Sequence, residues 1–378
     1  MGLAAGAAVV VGVISLRQAS APAPTPPVPV PRWQLTTASF GDAQRGAVSL
    51  QGEGRVATFL TSDGGRTWRP FSSRPGVTAF LDRDHAVTVD LGPTNQFRTS
   101  ADAGRTWRTA LQPVQLSGAA VTILPGGVLA GGPFFLDPAD AWWFGTPPGA
   151  GGRALWRTSD GGATWIDLAP AGIPAVEGAH QPVFVDPLRG ALAMSADGPD
   201  TVPSLLVTRD GGRTWGSVSL APPPAVVAPG QGAVVVPTLL ARGGVLVLSL
   251  DVAVDRSSGP SPLLGHLLAT SEDAGLTWGP WTAMPSTSAP AATMASDGAG
   301  RLLLADGRRL WSSPDLGRTW SSRPVSGPAG QLSAVASALG GALFVITSSG
   351  PAGAASRTLL RSLDGGGRWT EVRLPTPS

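Results

Sequence analysis

The chain has 378 residues, with 51 Gly, 37 Pro, 13 Trp and neither Cys nor Tyr. The missing cysteines exclude disulfides, thiolate metal sites, a Cys nucleophile and a lipid-modified N-terminal Cys. All 27 basic residues are Arg, against 25 acidic ones, so a net charge of only +2 persists to high pH and lifts the pI to about 10.6; with no basic run interleaved with aromatics, nucleic acid is not an expected partner.

The first sixteen residues, MGLAAGAAVVVGVISL, are apolar and uncharged up to Arg17. They resemble the h-region of an export signal, with a cleavage site at Ala19-Ser20-Ala21, but no basic residue precedes them and Pro22 would follow the cut. Their length is also marginal for crossing a bilayer. Residues 1–21 therefore read equally as a signal peptide or a retained membrane anchor, with a start upstream of Met1 expected. Residues 22–31 read as an extended Pro/Ala-rich linker. Either reading places residues 32–378 outside the cytoplasm, secreted or attached to the membrane through the N-terminus.

From there on, one phrase recurs. TSDGGRTW, ending at Trp68, returns as SADAGRTW at Trp107, TSDGGATW at Trp165, TRDGGRTW at Trp215, SEDAGLTW at Trp278, SPDLGRTW at Trp320 and SLDGGGRW at Trp369. Its aspartates, Asp63, Asp102, Asp160, Asp210, Asp273, Asp315 and Asp364, differ in residue number by 39, 58, 50, 63, 42 and 49. Repeated units with variable loops produce such spacing, and a period near fifty points to a propeller or solenoid. The phrase reads as a hairpin tip: Asp and Ser/Thr accept backbone N–H groups, the glycines supply positive φ, and the Trp anchors the turn on a core.

A second motif precedes the first. FGDAQRG from Phe40, FLDRDHA from Phe80, FLDPADA from Phe135 and FVDPLRG from Phe184 share Phe, any residue, Asp, three residues, then Gly or Ala, each followed by an apolar run. This reads as strand, tight turn, strand, and it is kept only loosely in the last three units. Each unit then holds four short strands, and the expected fold is all-β: a seven-bladed propeller of four-stranded antiparallel blades over residues 32–378.

The composite of the two motifs resembles the Asp-box, or bacterial neuraminidase repeat, propellers of the sialidase-like superfamily. Among them it is most similar to the photosystem II stability/assembly factor-like group. The resemblance covers Trp33 to the C-terminus and implies the fold; the same box occurs in sialidases, two-propeller endoglucanases, sortilin-type receptors and noncatalytic assembly factors. It implies a role in assembling membrane complexes, although nothing in these residues points to photosynthesis.

Chemistry is sparser than architecture. The sialidase mechanism that the resemblance would imply needs a Tyr nucleophile, and the chain has none. Its Phe-Arg-Ile-Pro motif is likewise missing, with PRWQL in its place. His85, His180 and His266 stand without metal-ligand spacing, so no metal or cofactor is expected. Trp142, Trp143, Trp156 and Trp311 read as strand and core residues. If both repeated motifs lie on one face, the opposite face is built from the variable loops, and binding residues favour variable loops on a rigid scaffold. Those loops offer Glu53, Arg55, Asp90, Arg153, Asp197, Asp200, Asp251, Asp255, Arg256, Asp306, Arg308, Arg309 and Arg357, with residues 251–266 expected to be one of them. No catalytic residue is expected among them. The reading is a monomeric, noncatalytic binding or assembly scaffold for a protein or glycan partner in the cell envelope; the alternative is a diverged, sialidase-like glycoside hydrolase acting on extracellular glycans.

Overall fold

The computed structural model describes residues 33–52, 54–74, 76–90, 96–114, 123–124, 128–129, 132–146, 154–173, 181–194, 203–222, 233–254, 263–285, 294–296, 301–327, 330–337, 341–350 and 355–377. They form seven four-stranded antiparallel sheets arranged as a seven-bladed propeller, with no α-helix among the described residues. Blade 1 is Gln34–Phe40, Gly46–Gly52, Arg55–Thr61 and Arg69–Ser72; blade 2 is Gly76–Phe80, Ala86–Asp90, Gln96–Ser100 and Arg108–Leu111. Blade 3 is Phe134–Phe135, Ala141–Gly145, Ala154–Thr158 and Ile166–Asp167; blade 4 is Val183–Phe184, Gly190–Met194, Ser204–Thr208 and Gly216–Val218. Blade 5 is Ala233–Arg242, Val245–Val254, Leu263–Ser271 and Thr282–Ala283; blade 6 is Met294–Ser296, Leu302–Asp306, Arg309–Ser313 and Ser321–Pro324. Blade 7 is Gln331–Ser337, Leu343–Ser349, Ser356–Ser362 and Thr370–Glu371.

Burial falls from the second strand of a blade to its fourth, and the sequence follows. A second strand such as Gly190–Met194 is buried at every position because each of its faces meets a neighbouring blade, so it reads as an unbroken apolar run. A fourth strand such as Ile166–Asp167 is exposed. The core therefore lies between blades. Trp142 and Trp143, both fully buried, head two such layers, Trp142 stacking on Phe184 of the next blade with ring centroids 3.7 Å apart.

The ring closes without exchanging a strand, since blade 1 and blade 7 each complete their four strands from one end of the described chain. A shared core joins Leu35, Phe40, Val48 and Leu50 to Phe344, Ile346 and Leu359. Phe40 stacks on Phe344 at 3.6 Å, Trp68 Nε1 donates to the Arg373 carbonyl (2.8 Å), and Arg361 Nη1 donates to the Gly64 carbonyl (3.0 Å).

Two features depart from the sequence reading. Residues 251–266 are not one loop: the second and third strands of blade 5 run on to Val254 and resume at Leu263, so Asp251 and His266 are cross-strand neighbours. The sustained apolar character of VLVLSLDVAV, Val245–Val254, explains the longer strand. Between blades 2 and 3, Ile123–Leu124 and Val128–Leu129 form an extra two-stranded hairpin that lies beside the first strands of blades 1 and 3. It accounts for part of the 58-residue interval between Asp102 and Asp160.

Candidate functional site

The two repeated motifs do share one face. The Phe-x-Asp turn joins first and second strands, and the Asp/Trp loop joins third and fourth. In the blade 4 loop the Thr208 hydroxyl donates to Asp210 Oδ1 (2.9 Å) and accepts from the Gly212 N–H (3.0 Å). The Thr214 N–H donates to Asp210 Oδ1 (2.9 Å), and its hydroxyl donates to Oδ2 (2.6 Å). Six loops repeat this set. The seventh has Arg368 where the others have Thr, so Asp364 Oδ1 receives the Ser362 hydroxyl (2.8 Å) and the Arg368 N–H (2.9 Å), but no threonine hydroxyl reaches Oδ2.

These bonds set the acidity of the loops. Burial raises the Asp63, Asp210 and Asp273 carboxyls, but hydrogen bonds from the loop threonines and N–H groups outweigh it and bring each to about 2. Asp102 and Asp315 reach the same value, led by the hydroxyls of Thr106 and Thr319. The first turn position has positive φ throughout, including Ala103 (61°), Ala274 (59°) and Leu316 (58°). The next position is always glycine, because it needs positive φ and close approach together: a Cβ on Gly162 would fall 2.2 Å from Phe97 of the preceding blade.

The loop tryptophans cover the blade edge rather than plunge into the core. Trp215 is buried and the other six are half-buried. The indole N–H of Trp107, Trp215, Trp278 and Trp320 returns to the glycine carbonyl three residues back at 2.9–3.1 Å. The Phe-x-Asp aspartates are committed in the same way: Asp42, Asp82, Asp137 and Asp186 each accept the N–H groups two and three residues on, at 2.6–2.9 Å. Asp82 also takes His85 Nδ1 (2.8 Å).

On the opposite face, several expected binding residues have structural partners. Arg55 lies 5.5 Å over the Trp33 ring, and Arg357 Nη1 donates to the Leu35 carbonyl (3.2 Å), so both bear on the start of blade 1 at the closure seam. Asp251 Oδ1 meets Nδ1 of the buried His266 at 2.5 Å. Asp306 and Arg309 face each other across a tight turn, Gly307-Arg308, that leaves Arg308 and Arg309 exposed. That turn is held against its surroundings, since the Gly307 carbonyl accepts from Leu332 N–H (2.6 Å) and the Arg308 carbonyl from Val325 N–H (2.9 Å). Asp90 ends a second strand. Glu53, Arg153, Asp197, Asp200, Asp255 and Arg256 lie outside the described residues, as do residues 1–32 and His180. The sequence reading missed the Asp251–His266 pair because its spacing of fifteen residues means contact only once both strands are known to extend.

No family model matches the chain, and no curated protein matches it in sequence. Its likeness to solved structures is broad and distant. Pyrococcus horikoshii acylaminoacyl peptidase is 7% identical over 90% of this chain and 52% of that one, with a TM-score of 0.56. A Mycobacterium tuberculosis puromycin-hydrolyzing peptidase is 14% identical over 90% of this chain and 53% of its own, with a TM-score of 0.53. YCF48 bound to D1 peptide is 18% identical over 79% of this chain and 81% of that one, with a TM-score of 0.46. Likeness at these identities establishes the fold alone.

Proposed function

We propose that the chain is an exported, noncatalytic binding or assembly scaffold that engages a protein or glycan partner through the face opposite its Asp/Trp loops. The sequence resemblance to Asp-box propellers of the assembly-factor type favours this reading, and the observation that carries it is the blade 6 turn. Arg308 and Arg309 are exposed side by side on a backbone pinned at both Gly307 and Arg308, so they are presented to a partner at small ordering cost. An arginine pair of this kind suits carboxylate or other anionic groups.

The hydrolase alternative gains less. The chain has no Tyr to act as a sialidase nucleophile, and the loop and Phe-x-Asp aspartates of the turn-bearing face are engaged by their own turns. The test is capture from an envelope fraction with immobilised protein, comparing wild type with Arg308→Glu/Arg309→Glu. Loss of specific partners with an unchanged melting curve supports the scaffold. Release of sialic acid from a fluorogenic sialoside, above a heat-inactivated control, would displace it in favour of the hydrolase.

A further inference from the structure

One position bears on the space between neighbouring blades on the turn-bearing face: the residue just before the loop's Ser or Thr. It is Leu60, Thr99, Arg157, Val207, Thr270, Ser312 and Arg361 in blades 1 to 7. Where it is arginine, the space is filled from within. Arg157 Nη2 reaches Asp140 Oδ1 (3.1 Å), its guanidinium lies 5.0 Å over the Trp142 ring, and Nη1 sits against Gly211 in the loop of blade 4. Arg361 crosses likewise to the Gly64 carbonyl in the loop of blade 1 (3.0 Å).

Between blades 2 and 3 both fillers are short. Thr99 stands in the place of Arg157 and Val87 in the place of Trp142, and a groove of about 370 Å³ opens there. Leu81, Ala86 and Val87 supply apolar lining, and Asp102, Asp160 and Gly161 line it as well. In the two loops that follow the arginine-bearing blades the equivalent carbonyl is occupied, Gly64 by Arg361 and Gly211 by the Trp142 indole (2.9 Å). The Gly161 carbonyl accepts nothing among the described residues. Beside it, Asp160 Oδ2 takes the Thr164 hydroxyl (2.6 Å) and keeps acceptor capacity. Burial raises the Asp160 carboxyl, but hydrogen bonds from Thr164, Thr158 and Ala163 outweigh it and keep it ionised.

A second groove of about 370 Å³ lies at the same place between blades 4 and 5, where Val207 is the short residue. It carries Arg189 and Arg209 beside Asp186 and Asp273, so its charge is already balanced internally. The groove between blades 2 and 3 has Asp102 and Asp160 against Arg108, and His85, whose Nδ1 meets Asp82 at 2.8 Å, lines it too.

We propose that the groove between blades 2 and 3 is a docking site for an arginine side chain presented by a partner polypeptide, which takes in trans the place that Arg157 and Arg361 take in cis. The stem would lie on Ala86 and Val87, and the guanidinium would donate to the Gly161 carbonyl and the Asp160 carboxylate. A planar fork with several donors suits a carbonyl and a carboxylate side by side better than an ammonium does. The site is on the turn-bearing face, so it stands or falls separately from the reading of the loop face.

The test is calorimetric titration of the full chain with three blocked tripeptides, acetyl-Gly-X-Gly-amide, in which X is arginine, citrulline or lysine. The arginine peptide is expected to bind saturably, with the citrulline peptide at least about tenfold weaker, the scale of one lost charged contact, and the lysine peptide weaker as well. Thr99→Arg plugs the groove as Arg157 plugs its neighbour, and is expected to lose the arginine peptide about tenfold or more while melting no lower than wild type. Val207→Arg, in the other groove, should leave binding unchanged. No saturable binding of the arginine peptide up to about 10 mM, the weakest range in which a specific contact is measured, overturns the proposal. So does equal binding of the citrulline or lysine peptide, or undiminished binding by Thr99→Arg. If Thr99→Arg does not fold, the comparison of arginine with citrulline on wild type decides alone.

Discussion

The two faces of the propeller are made by the same hairpins, yet their polar groups are employed differently. On the turn-bearing face, seven loop aspartates and four Phe-x-Asp aspartates accept hydrogen bonds from their own turns, and Arg157 and Arg361 reach Gly211 and Gly64 in the next blade. On the opposite face, the blade 6 turn fixes its backbone and leaves Arg308 and Arg309 outward. Charge on a surface therefore does not mark a binding site. What marks it is charge on a fixed backbone whose partners are not internal, and by that measure Arg357 and Asp251, tied to Leu35 and His266, are weaker candidates than the blade 6 pair.

The comparison is broken most sharply through the core under the turn-bearing face. Trp142→Ala removes a fully buried ring, its stack on Phe184 and its bond to Gly211. The expected loss is about 3–5 kcal/mol, read by chemical denaturation. Asp210→Ala should cost about 1–3 kcal/mol, because it leaves the Thr214 and Arg213 N–H groups without their acceptor.

Acid should act on the same face. Asp63, Asp102, Asp210, Asp273 and Asp315 are held at about 2, below the ordinary 3.8, and Asp160 and Asp364 are lowered as well, so folding depresses their pKa. The stability they contribute is complete above about pH 4 and is lost as the pH falls through about 2, because the unfolded state then takes up protons first. Melting temperatures measured from pH 6 down to pH 2 should fall chiefly below pH 4, and Asp210→Ala should flatten part of that fall. A smaller change sharpens the contrast in the other direction. Arg368→Thr gives the seventh loop the hydroxyl donor that the other six have, and should raise the melting temperature by less than Asp210→Ala lowers it.

Most of the architecture was legible because the features that build it repeat. Seven Asp/Trp phrases announce seven blades, and the Phe-x-Asp template, if its turn joins first and second strands, puts both turns on one face. Strand length was legible only where a turn motif marked the end, which is why residues 251–266 were expected as a loop. Closure of the ring was not readable, since Phe40 meets Phe344 and Trp68 meets Arg373 across almost the whole chain. The candidate sites were half legible. Variable loops name themselves by failing to repeat, but whether Arg357 faces a partner or Leu35 depends on contacts distant in sequence. The column running from Leu60 to Arg361 was in plain view, but it says nothing about space until the blades are set side by side.

The smallest expected effect on stability is also the most telling for function. Arg308→Glu/Arg309→Glu should change stability by less than about 0.5 kcal/mol, as exposed turn substitutions usually do. The measurement that tests the division between the faces most directly is a thermal melt and an envelope-fraction capture run in parallel on this variant and on Asp210→Ala. The account predicts an unmoved melt with lost capture for the arginine pair. For Asp210→Ala it predicts a lowered melt, with capture retained at temperatures where the protein is still folded. Full capture by the arginine variant, or lost capture by folded Asp210→Ala, would contradict it.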